Sequence, residues 1–145
     1  MIVTTAGGVS FEDGPDRARI IVSGEDTGGR YSLMEWTVAP SDQTGFGAHR
    51  HGTCEETFLI RSGRLEFLLG ETVTTLGPGD FVRAPAGTRH GYRNSSGAPV
   101  EMLVGFVPAG MEGLFVKYRT DGDGPEAGEG FVADATRLFE SEFEA

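Results

Sequence analysis

The chain has 145 residues, enough for one hydrophobic core and one domain. With 12 basic against 22 acidic side chains and a net charge near −10, it is poorly suited to nucleic acid or an anionic membrane, and a small neutral or apolar molecule is the expected partner. Cys54 has no second cysteine to pair with, no stretch reaches the roughly 18 apolar residues of a membrane helix, and Met1-Ile2-Val3-Thr4-Thr5 lacks the features of a secretory leader, so a cytoplasmic location is expected.

Along the chain, short runs rich in β-branched and aromatic residues fall at 19–22, 31–38, 56–60, 65–69, 72–75, 80–84, 90–93 and 100–107, and each predicts a strand. Ser62-Gly63, Gly70-Glu71, Gly77-Pro78-Gly79, Pro85-Ala86-Gly87 and Ser96-Gly97 mark the reversals between them. Many short strands at this spacing predict an all-β barrel or sandwich. Period-two alternation turns Met34, Trp36 and Val38 inward, with Phe58 and Ile60, with Leu65, Phe67 and Leu69, and with Val100, Met102, Val104 and Phe106. Most of these side chains are core. From this set and Tyr92, which shares parity with His90, the candidate substrate contacts are Trp36, Phe58, Phe67, Tyr92, Met102 and Phe106, in a mostly apolar chamber.

Beyond 107 the period changes. Met111, Leu114, Phe115 and Tyr118 recur at intervals of three and four, which predicts a helix over about 110–119. The acidic, glycine-rich stretch 120–130 reads as a linker. Phe131, Ala135, Leu138, Phe139 and Phe143 then predict a second helix over about 132–143. The expected division is a barrel at 1–107 and a helical extension at 108–145, with the helices packing on the barrel or on a second copy in preference to forming a lid.

The three histidines fall where one metal site needs them. On an extended strand, His49 and His51 leave the same face roughly 6–7 Å apart along the backbone. Glu56 has the inward parity of Phe58 and Ile60 and supplies an anionic oxygen, while His90 adds a third nitrogen from a distant segment. Such a donor set suits one divalent first-row ion (Fe, Mn, Ni, Cu or Zn) and is too rich in nitrogen for calcium or magnesium. The neighbours have plainer roles. Glu55 and Arg50 point outward, Cys54 is a small turn residue, and Asn94 holds a turn.

The spacings resemble the cupin family. Its first motif is matched by His49, His51, Glu56 and Gly63, and its second by Gly79, Pro85, Gly87, His90 and Asn94; the departure is Gln43, where the first motif opens with glycine. This resemblance implies a double-stranded β-helix with short C-terminal helices, His49, His51, Glu56 and His90 as metal ligands, and a homodimer. A looser likeness to the quercetin dioxygenase-like single-domain cupins runs through Thr27-Gly28-Gly29-Arg30, the 55–60 segment and the 108–115 segment. It implies dioxygenation of a small aromatic or enolisable substrate, with Glu56 as both ligand and proton acceptor. Two alternatives use the same four residues: a non-redox cyclase or isomerase of the polyketide-cyclase kind, and a protein that binds a metal or small ligand without turnover.

Overall fold

The computed structural model describes residues 1–41, 45–118 and 125–144, with backbone alone at 125–127. Gln43, residue 119 at the end of the first expected helix and residues 120–124 of the expected linker therefore lie outside the described residues. The elements run β1 (Val9–Asp13), β2 (Asp16–Val22), α1 (Gly24–Thr27), β3 (Ser32–Val38), β4 (His49–His51), β5 (Glu55–Ser62), β6 (Leu65–Leu69), β7 (Thr72–Leu76), β8 (Phe81–Ala84), β9 (His90–Arg93), β10 (Val100–Val107), α2 (Met111–Lys117), α3 (Pro125–Phe139) and β11 (Ser141–Phe143). They build two antiparallel sheets, ordered β1-β2-β3-β10-β5-β8 and β11-β4-β9-β6-β7. This is the double-stranded β-helix.

Alternation decides which side of each strand is dry. On β3, β5 and β10 buried and less buried residues alternate, so that Met34, Phe58, Ile60, Val100, Met102, Val104 and Phe106 meet Leu65 and Phe67 of the other sheet in one core. Removing each large apolar side chain from water contributes about 1.5–3 kcal/mol. Among the described residues no helix is long and apolar enough to cross a membrane.

The C-terminal region departs from expectation in two places. The helix α3 begins at Pro125, inside the stretch read as a linker. One of the glycines behind that reading, Gly130, serves close packing: a Cβ there would lie 2.5 Å from the Tyr118 ring. The helix also ends earlier than expected, at Phe139. Glu140 takes a left-handed turn (φ 49°), and Ser141–Phe143 becomes a strand beside β4. Phe139 and Phe143 are four residues apart, a spacing that shares one face in a helix and in a strand alike, so the sequence pattern could not separate the two. The strand β1 carries no alternating pattern in the sequence, since Phe11 alone of its residues is buried.

Candidate metal centre

The site lies where the two sheets meet. The strands β4 and β9 bring His49 directly opposite His90, and His51 follows on the same face of β4. Glu56 comes from the other sheet, at the start of β5 between Phe106 and Ala84. One donor atom from each of these four residues lies within 4.8 Å of all the others. The span is somewhat wider than the roughly 4.0–4.3 Å between two donors on opposite sides of one ion at ordinary zinc–nitrogen and zinc–oxygen distances. His51, Glu56 and His90 are buried, and His49 is partly so.

Each histidine is fastened from behind. His49 Nδ1 lies 2.8 Å from the Gly47 carbonyl and His90 Nδ1 lies 2.9 Å from the Thr88 carbonyl. A carbonyl can only accept, so Nδ1 carries the proton on both rings and donates. His51 Nδ1 meets the Ser141 hydroxyl at 2.8 Å. On the inner side, His90 Nε2 is 2.8 Å and His51 Nε2 3.3 Å from one oxygen of Glu56. With His90 Nδ1 already protonated, its Nε2 can face a carboxylate only as a second N–H, which makes an imidazolium, or as a lone pair on a shared cation. The arrangement calls for positive charge between ring and carboxylate, which a protonated His90 or a divalent ion would supply.

The electrostatics agree. Burial pushes the Glu56 pKa up, but the hydrogen bonds and charges of His51 and His90 outweigh it and hold the carboxyl down at about 2. Burial likewise works against a charged His90, yet contact with Glu56 leaves its pKa raised. His49 is lowered to about 4, first by burial and then by the neighbouring His90. Burial also pushes the Cys54 thiol up to about 12, which leaves it inert as a nucleophile.

A cavity of about 170 Å³ opens directly off the donors. Trp36, Phe58, Tyr92 and Met102 line it, as does His49. Phe67 and Phe106 do not: Phe67 packs behind Phe58 with ring centres 4.8 Å apart, and Phe106 against Phe115 at 6.2 Å. The wall also holds residues that the strand pattern did not single out, Asp13 and Asp16 from the first hairpin and Phe115, Phe131 and Phe143 from the C-terminal region. The last three belonged to predicted helical stripes, but nothing local in the sequence says what a stripe will cover. A wider cleft of about 720 Å³, lined among others by Phe46, Arg89 and Asn94, shares Asp16 and Tyr92 with this cavity.

The remaining residues singled out in the sequence fall as expected. Glu55 pairs with Arg83 at 2.7 Å on the outer face, and Arg50 with Glu142 at 3.5 Å. The Asn94 amide donates to the carbonyls of Val38 and Ala98.

A two-sheet β-helix on which three imidazoles and one carboxylate converge has the donor set of a metal-binding barrel. A family model described as a cupin domain matches residues 34–106, about half of the chain, and the chain belongs to the cupin family. It is 28% identical over 95 residues to quercetin 2,3-dioxygenase of Bacillus subtilis (strain 168), a match that spans 66% of this chain and 28% of that protein's length. Among solved structures, the polyketide cyclase RemF from Streptomyces resistomycificus superposes with a TM-score of 0.61 at 23% identity, covering 74% of this chain and 78% of that one. A sugar phosphate isomerase from Silicibacter pomeroyi gives a TM-score of 0.58 at 16% identity, with 74% and 75% covered. At these identities the structural likeness establishes the fold alone.

Proposed function

We propose that the chain is a metal-dependent cupin enzyme that oxidises a small aromatic or enolisable molecule with dioxygen. The observation that carries this reading is the mounting of the donors: the Nδ1 atoms are held from outside, so the Nε2 atoms and the Glu56 carboxylate converge beside an apolar cavity. Bound there, a divalent first-row ion would acidify an enol or phenol oxygen and, if redox-active, engage dioxygen. The protein's own part is to orient and to keep dry. Trp36, Phe58 and Met102 offer flat or adaptable apolar surface to a ring. The cavity falls below the ~300–1,000 Å³ usual for drug-sized ligands, so it selects a small reacting group. Glu56, released from the ion, would take the proton that the substrate loses.

The test is dioxygen uptake with a panel of small enols and catechols, after separate reconstitution with iron, manganese, nickel, copper and zinc. Uptake with at least one redox-active ion is expected, and Glu56→Gln should keep bound metal while losing turnover. Turnover with zinc under strict anaerobiosis would replace this reading with a second one, cyclisation or isomerisation of a small ketone. Asp16 favours that alternative, since it lines the cavity and burial raises its pKa against the lowering by the Ala39 N–H, and enolisation needs such a proton carrier.

We further propose that the protein works as a homodimer in the cytoplasm. The cross-strand row Phe81, Leu59 and Leu103 puts apolar surface on the outer face of the larger sheet, with Phe81 60% exposed. Sedimentation as a monomer at micromolar concentration would remove the dimer.

A further inference from the structure

On the reading of the four donors as a metal site, we propose that Ser141, on the last strand, is a positioning residue of that site, fixing His51 for coordination from 90 residues away in the chain. His49 and His90 are held by backbone carbonyls two residues before them, so no side chain serves as their outer hydrogen-bond partner. His51 is the ligand held by a side chain. Its ring orientation depends on what residue 141 is.

The register accounts for the contact. In the antiparallel pairing of β11 with β4, Ser141 stands opposite His51, Glu142 opposite Arg50 and Phe143 opposite His49. Directly opposed residues project to the same face. Ser141 therefore reaches the His51 ring, Phe143 stacks on the His49 ring at 5.7 Å and 17°, and Glu142 pairs with Arg50 on the other side. Each of the two ligands of β4 thus has its own backing residue.

The strand is also anchored independently of these side chains. Gly52 N–H donates to the carbonyls of Phe139 and Glu140 at 3.0 and 3.2 Å, and Glu144 N–H donates to Ala48 O at 2.9 Å. Gly52 is what permits the approach, because a Cβ there would lie 2.8 Å from that of Glu140. Ser141 is 2% exposed, so its hydroxyl is withdrawn from competing water. When His51 Nε2 coordinates an ion its Nδ1 carries the proton and the Ser141 hydroxyl accepts it, and an outer hydrogen bond of this kind raises the basicity of a ligating imidazole.

The test compares Ser141→Ala, Ser141→Thr and Ser141→Cys with the parent in the full-length chain. Apo-protein is titrated with cobalt(II) and zinc(II) against a competing chelator, with the cobalt absorption spectrum and apo-protein Tm recorded for each. Ser141→Ala is expected to weaken binding by about 10–100-fold and to change the cobalt bands, with Ser141→Thr restoring both. If Ser141→Ala does not fold, Ser141→Cys decides, since the thiol keeps the size but accepts weakly, and the same weakening is expected of it. Parent-like affinity and spectrum in the folded Ala or Cys variant overturn the positioning role while leaving the metal site intact. A parent chain that binds neither ion, or binds equally after His90→Ala, overturns the metal site and this role together.

Discussion

Asn94 shows how much can hang on a side chain that takes no part in the chemistry. It is 2% exposed, and its amide nitrogen donates to Val38 O at 3.0 Å and Ala98 O at 2.7 Å while its oxygen accepts from the Ser96 hydroxyl at 2.6 Å. It ties the end of β3 to the turn before β10. Asn94→Ala would leave buried polar atoms unpaired, so a loss of roughly 1–3 kcal/mol is expected, read as a lower urea midpoint at unchanged slope. The metal donors were legible at this scale because strand parity is a rigid rule: His49, His51 and Glu56 each fix their own direction once extended. Ser141 was not legible, since a serine between two glutamates carries no mark of the histidine it will meet 90 residues back.

The helices α2 and α3 are joined through Asp134. Its carboxylate accepts from the Tyr118 hydroxyl at 2.6 Å, from Lys117 at 2.9 Å and from Arg137 at 2.9 Å. These contacts, Tyr118 first, hold its pKa below the ordinary value of 3.8. A carboxylate depressed on folding adds stability that is present above its unfolded value and is lost as pH falls through the folded one. Amide exchange in α3 should therefore accelerate relative to the barrel strands once pH drops below about 4, and Asp134→Asn should show the faster exchange already at neutral pH. Equal protection in parent and variant at neutral pH would count against the link. The two strands most important to the cavity beyond the obvious ones, β1 and β11, were the least readable. They are short and half-exposed, and their partners rather than their own sequences make them strands. The long strands β3, β5 and β10 bury a full alternate face and could be read without help.

Across the whole molecule, the donor set spans both sheets, with the histidines on one and Glu56 on the other. An ion bound there stabilises the folded chain by its own affinity, about 2.7 kcal/mol when free metal stands at 100 times Kd. Adding a strong chelator to metal-loaded protein should lower Tm by several degrees, and His90→Ala should make Tm indifferent to the chelator. A parent Tm that ignores the chelator would show that the ion is not part of the fold's stability.

The inner cavity and the outer cleft share Asp16 and Tyr92 as a common wall. Residues that line both spaces tie their shapes together, so Tyr92→Phe or Tyr92→Ala should alter the inner cavity and the outer cleft at once.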